Sequence, residues 1–237
     1  MRYLILAAGM GKRMAAGPAA APKCLIDLGG EPLLGRLLRQ IRAADPDADI
    51  HAVVGYRADD VVAHLAGCRI VVNPFFDITG INASLWFARD AFERPLMVLH
   101  GDLVLADDLA HDLLRAPAES LVAFDSSILD PTEINVAVAG GRVTRFGVNF
   151  APYSGAYAGV LKLDARAATG FAEVLDRRFR RGFNEARTYY FFVMRALIDD
   201  YRVAFAGFDF AGRRWKEIDY SSDVATAREL AEVRGDR

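Results

Sequence analysis

Tyr3-Leu-Ile-Leu-Ala-Ala-Gly-Met-Gly-Lys-Arg13 is followed, ten residues past the arginine, by Pro22-Lys23-Cys24-Leu25. The first four residues form an apolar run of strand character that leads into a loop of Ala and Gly with little side-chain bulk. Backbone N–H groups in such a loop can approach a phosphate chain directly. Arg13 and Lys23 then add two cations at a spacing that lets both reach one anion. Two other phosphate loops fail on spacing. A dinucleotide fold wants Gly-x-Gly-x-x-Gly, and after Gly9-Met-Gly11 the third glycine position is Met14. A P-loop needs Gly-Lys-Ser/Thr, but Gly11-Lys12 is followed by Arg13.

Working outward, apolar runs alternate with helical periodicity. Strands are expected near 2–7, 49–54, 69–72, 95–99 and 120–124, with helices near 31–44, 57–66, 83–92 and 106–115. The strands are near-continuously apolar, as in Leu96-Met-Val-Leu99, which suits a mostly parallel sheet covered by helices on both faces. From Ser126 the rhythm changes. A hairpin is expected over 133–146 around Gly140-Gly141, then a strand at 153–163, helices at 165–181 and 188–200, a strand at 202–206 and a last helix at 221–234. The division expected within one domain is a nucleotide core over 1–125, an acceptor-binding insertion over 126–206, and a metal-binding segment with the C-terminal helix over 207–237. Arg177-Arg-Phe-Arg-Arg181, at a helix end, reads as a solvated face favoured by the helix dipole.

The carboxylates come in two places. His100-Gly101-Asp102 follows a buried strand at the carboxyl edge of the sheet, where open α/β folds bind ligands. An acid there, across from a phosphate loop, suits magnesium, which takes one or two protein carboxylates plus phosphate oxygens. Trp215-Lys-Glu217-Ile-Asp219 supplies a second candidate, and in an extended segment Glu217 and Asp219 share a face. His100 reads as a packing or supporting residue rather than a base.

These motifs carry a resemblance. Leu6-Ala-Ala-Gly-Met-Gly-Lys-Arg13 with Pro22-Lys23, then Phe75-Phe-Asp-Ile-Thr-Gly-Ile-Asn82-Ala-Ser84, Gly101-Asp102 and Trp215-Lys-Glu-Ile-Asp219 resemble the nucleotidyltransferases. Within them, the match is nearest the group acting on phosphocholine and on phosphonates such as 2-aminoethylphosphonate. The resemblance implies a Rossmann-like fold of the nucleotide-diphospho-sugar transferase type and a magnesium-dependent transfer of CMP from CTP to a small phosphate or phosphonate. It makes Asp102 and Asp219 the magnesium ligands with Glu217 in support, and Arg13 and Lys23 the catalytic cations. Leu6, Ala7, Ala8, Gly9 and Gly11, with Asn82, Ala83 and Ser84, would hold the nucleotide. A sugar-1-phosphate nucleotidyltransferase using UTP or dTTP, and a nucleotide-binding regulator without catalysis, are the alternatives.

The acceptor is expected in the inserted segment. Tyr153, Tyr157, Tyr189, Tyr190 and Trp215 are candidates for the walls of a box around an ammonium head, at about 0.5–2 kcal/mol per ring. Asn135 joins them, standing in Glu133-Ile-Asn135-Val136 where some members of the resembled group carry Glu-x-Lys-Val.

The 237 residues, 53% hydrophobic and 25% charged, are those of an ordinary globular protein. A net charge of −2 offers no general attraction to nucleic acid, and no apolar run approaches membrane-spanning length. The N-terminus enters a strand directly, without a basic region followed by a long apolar segment, so a cytoplasmic location is expected; a monomer or homodimer is the expected assembly. Cys24 and Cys68, far apart and beside apolar residues, read as reduced thiols.

Overall fold

The computed structural model describes residues 1–11, 13–14 and 21–232. Strands β1 (Arg2–Ala7), β2 (Asp49–Val54), β3 (Arg69–Val72), β4 (Leu96–His100), β5 (Leu103–Leu105) and β6 (Leu121–Asp125) alternate with helices α1 (Leu33–Ala44), α2 (Ala58–Val62), α3 (Ile81–Phe87) and α4 (Asp107–Leu114). There follow β7 (Asn135–Ala139), β8 (Arg142–Gly147), β9 (Gly155–Leu163), α5 (Ala165–Phe179), α6 (Phe191–Asp199), β10 (Ala206–Asp209), β11 (Trp215–Glu217) and α7 (Asp223–Glu232).

Nine of these strands form one sheet in the order β3-β2-β1-β4-β9-β6-β10-β8-β7. The register directions give seven strands running one way, with only β9 and β8 opposed. β9 lies antiparallel between β4 and β6, and its start also pairs with β7 through Asn135 and Ala156. The last five strands therefore close a circuit.

Continuous apolar runs make sense once both faces are seen. Leu4 enters one hydrophobic layer with Val53, Val98, Phe171 and Met194, while Tyr3 and Ile5 enter the opposite layer with Leu37, Ile41, Met97 and Leu99. Period-two alternation thus sends every other residue of β1 to a different core. The first layer includes Val136, Phe171 and Met194 from the 126–206 segment, so that segment shares its core with β1 and β4. A third cluster of Leu28, Leu33, Val104, Ile218, Ala227 and Ala231 seats α7.

Several elements are shorter than their sequence pattern. Over 57–66 only Ala58–Val62 is α-helical, and over 83–92 the helix spans Ile81–Phe87, followed by a 3-10 turn at Arg89–Glu93. The strand expected at 202–206 lies instead at Ala206–Asp209, because Arg202 takes a positive φ of 53° that breaks an extended run. Residues 233–234 of the expected last helix lie outside the described residues. Among the described residues, no helix is long and apolar enough to cross a membrane.

Candidate active site

The carboxyl ends of β1 and β4 open into a cleft of about 390 Å³. Its near wall is Leu6 through Gly11 and its far wall includes Asn73, Thr79, Gly80, Ile81 and Ser84. Two glycines shape it for different reasons. A Cβ on Gly9 would meet nothing within 4 Å, so that backbone faces open space, whereas a Cβ on Gly101 would stand 2.7 Å from the Leu6 carbonyl oxygen. Gly101 N–H donates to that same oxygen at 2.9 Å, which holds the turn carrying Asp102 against the phosphate loop.

Asp102 is brought to Glu217 and Asp219 by a short ladder. β5 pairs antiparallel with β11, with Leu103 opposite Glu217, and Ile218 N–H donates to the Asp102 carbonyl at 3.0 Å. Asp223 fixes the next turn, because its Oδ2 accepts from Asp219 N–H at 2.9 Å and Tyr220 N–H at 2.7 Å. Lys216 neutralises Asp223 from 2.9 Å.

The cations converge on these acids. Lys23 Nζ lies 2.8 Å from Asp219 Oδ1 and 3.6 Å from Asp102 Oδ2, and Arg13 Nη1 lies 3.3 Å from Asp219 Oδ2. His100, Asp102 and Glu217 each offer an atom to a group spanning no more than 4.8 Å, a size that fits a metal ion. Asp219 stands outside that trio, held by the two cations. Burial and the neighbouring Glu217 charge push the Asp102 carboxyl up to about 6, against the opposing pull of His100 and Lys23. Burial alone would lower the His100 imidazole, but the Glu217 hydrogen bond and the surrounding carboxylates raise it overall.

The tyrosines are arranged differently from a box of open ring faces. Tyr190 O–H donates to Tyr157 O at 2.6 Å, and the Tyr189 and Tyr190 hydroxyls lie 3.3 and 3.2 Å from His100 Nε2. His100 Nδ1 is 3.3 Å from Glu217 Oε1, so one chain of polar atoms runs from the acids into the first hydrophobic layer. Tyr189 and Tyr190 stack on each other at 4.4 Å, and Tyr190 is fully buried. Tyr190 therefore offers no open ring face, while Tyr189 stacks one face on Tyr190 and has its hydroxyl paired, so of the five candidate rings these two meet each other and His100. Trp215 packs on Phe210 in the other layer and donates to Asp125 Oδ2 at 2.7 Å, and Tyr153 packs on Phe150.

Of the nucleotide-binding candidates, Leu6, Ala7, Ala8, Gly9, Gly11 and Ser84 line the cleft. Asn82 and Ala83 are 1% exposed and do not. Asn82 Nδ2 donates to Thr188 Oγ1 at 2.7 Å and so ties α3 to the segment before α6. Asn135 is also 1% exposed, its Nδ2 donating to the Asp130 and Glu133 carbonyls near 3 Å. Asn73 was not singled out from sequence, yet its Nδ2 donates to Ser84 Oγ at 3.1 Å and its Oδ1 accepts from Phe75 N–H. A lone asparagine after an apolar strand is a weak signal, and only its buried position reveals the role.

Residues 3–131 match the family model described as the MobA-like NTP transferase domain. The bifunctional IPC transferase and DIPP synthase of Rubrobacter xylanophilus is 29% identical over 95% of this chain, which spans 51% of that protein. The CMP-5'-(3-aminopropyl)phosphonate synthase of Streptomyces rubellomurinus is 30% identical over 52% of this chain and 20% of its own length. The CTP:phosphocholine cytidylyltransferase of Streptococcus pneumoniae superposes with a TM-score of 0.74 at 20% identity, covering 98% of this chain and 99% of that one.

Proposed function

Because the chain belongs to the MobA-like NTP transferase family, we propose that it transfers CMP from CTP to a small phosphorylated or phosphonate acceptor and releases pyrophosphate. The observation that carries this reading is the meeting of Lys23 with Asp102 and Asp219 beside the open Gly9 backbone. A triphosphate in the cleft would find N–H groups along its length and two cations at its reacting end. The choice of CTP rests on the relatives, whose names include a CMP-phosphonate synthase.

The acceptor needs little activation. A phosphate monoester carries most of its second charge at neutral pH, since its second pKa is roughly 6. The obstacle is repulsion between two anions as the acceptor oxygen approaches the α-phosphorus in line with departing pyrophosphate. Lys23 and Arg13 would offset that repulsion as charge grows on the leaving group. Asp102 and Asp219 would hold Mg2+ with Glu217 in support, Asp219 turning from its pairs with Lys23 and Arg13 to the ion, which would supply further neutralisation of the phosphate oxygens. The crowding of carboxylates that raises Asp102 supports this role, because a cation relieves it.

The acceptor pocket would be bounded by Tyr189 and His100, with Asn135 keeping the nearby loop in place. Paired tyrosine hydroxyls favour an acceptor that offers its own hydroxyl or phosphonate oxygens as much as one with an ammonium head. Pyrophosphate release measured with CTP, UTP and dTTP against phosphocholine, 2-aminoethylphosphonate, a polyol phosphate and a sugar 1-phosphate tests the proposal. Release with CTP and one acceptor is expected. Release with UTP or dTTP and a sugar 1-phosphate would replace the reading, and no release with any pair would favour a regulator.

A further inference from the structure

Away from the cleft floor, arginines and aromatic rings interleave where α3, the end of α5 and the start of α6 meet. Trp86 and Phe179 stack at 5.0 Å with planes 5° apart. Arg89 lies over the Trp86 ring and Arg178 over the Phe192 ring, each at 4.4 Å. Arg187 Nε donates to the Ile78 carbonyl at 3.1 Å, linking this surface to the rim of the cleft, where Thr79 and Gly80 stand. Arg180 and Arg181 continue it past the end of α5, both exposed.

Two properties separate this surface from an ordinary solvated helix end. Ile78 is 47% exposed and Phe192 37% exposed, so apolar side chains protrude among the cations. The positive charge is local, since the chain as a whole carries −2; Arg180 is paired with Asp176 and Arg178 with Glu185, so the excess here comes from the other arginines of this surface, Arg89 and Arg181 among them. Guanidinium groups on aromatic faces are weakly hydrated, which suits contact with phosphates at a boundary of low polarity. Exposed aliphatic and aromatic side chains can enter the headgroup region while the arginines stay at its phosphates.

We propose that this surface docks the protein peripherally on an anionic lipid membrane, with the mouth of the cleft beside the bilayer. Charge complementarity selects the lipid: phosphates attract the arginines, and Ile78 and Phe192 reward a surface with an apolar layer beneath them. A nucleic acid would use the charge and leave Ile78 without a role.

The test is flotation of the whole chain with vesicles of phosphatidylcholine containing about a third phosphatidylglycerol, beside vesicles of phosphatidylcholine alone. Binding to the anionic vesicles only is expected, weakening as salt rises. Ile78→Ser with Phe192→Ser, and separately Arg180→Ala with Arg181→Ala, should each lower the bound fraction at least about fivefold. Thermal unfolding of each variant must match the parent for its result to count. Should an exposed residue prove to matter for folding, Arg181→Ala alone is the replacement test. No binding by the parent would overturn the proposal, as would binding that both variant pairs leave unchanged. A parent that dimerises in solution through Phe192, or binds single-stranded RNA more tightly than the vesicles, would overturn it too.

Discussion

Ile218 N–H donates to the Asp102 carbonyl across 3.0 Å, fixing together two acidic segments from distant parts of the chain. The bond is backbone to backbone, so side-chain substitutions at Asp102 or Asp219 leave it in place. Asp102→Ala and Asp219→Ala should therefore each remove most CMP transfer while the fold survives. Initial rates and thermal midpoints measured on both variants check this, and activity within about threefold of the parent for either would sink the two-acid assignment.

Lys23 pairs with both acids, so in the proposed reaction its removal would take away charge that matters most as pyrophosphate leaves. Lys23→Ala should lower kcat by two or more orders of magnitude, roughly 3 kcal/mol of transition-state stabilisation. Lys23→Arg should not restore the rate, because a longer planar fork cannot place its charge where the compact Lys23 ammonium meets both acids. If only acceptor KM changed, Lys23 would be a binding residue.

The Asp102 carboxyl, pushed up to about 6 by burial and Glu217, gives stability a definite sign. An acid with a raised folded pKa binds its proton more tightly when folded, so its ionisation costs stability. That cost grows as pH rises from the ordinary aspartate range through about 6 and is constant above. With chelator present, Asp102→Asn should melt about 2–4 °C above the parent at pH 7.5, the equivalent of ~1 kcal/mol, and lose the advantage below pH 4. A midpoint lowered at pH 7.5 would show that the carboxylate is structurally required.

Arg36 is buried in α1 and donates to the Leu105 and Ala231 carbonyls as well as to Asp107 at 2.8 Å. It thus ties α1 to β5 and to α7. Arg36→Met would keep much of the volume but take a donor from the Ala231 carbonyl and leave the Leu105 carbonyl and Asp107 relying on Gln40, at a cost of about 1–3 kcal/mol. Urea unfolding would show it as a lower midpoint with an unchanged m-value.

The parallel half of the sheet was readable because β1, β2 and β4 are apolar on both faces, a pattern that survives without knowledge of partners. The β5–β11 ladder was not. Leu103-Val-Leu105 is three residues long and its partner lies more than a hundred residues away, so no local period announces it. The acids and cations were legible as types at sensible spacings. Their pairing was not, since Asp219 sits with Lys23 and Arg13 while Glu217 joins His100 and Asp102. The tyrosines show the same limit: sequence gives rings, and only packing decides whether a hydroxyl or a ring face meets the ligand.

Trp215 sits two residues before Glu217, with its indole N–H on Asp125 and its ring edge-on to Phe210 at 5.3 Å. Indole emission responds to nearby charge and to the loss of a hydrogen bond. The chain has one other tryptophan, Trp86, stacked on Phe179 in a different part of the molecule. A Trp86→Phe protein would therefore carry a single tryptophan, on the strand that presents the acids, and nucleotide or cation titrations could be followed by its selectively excited emission without any added label.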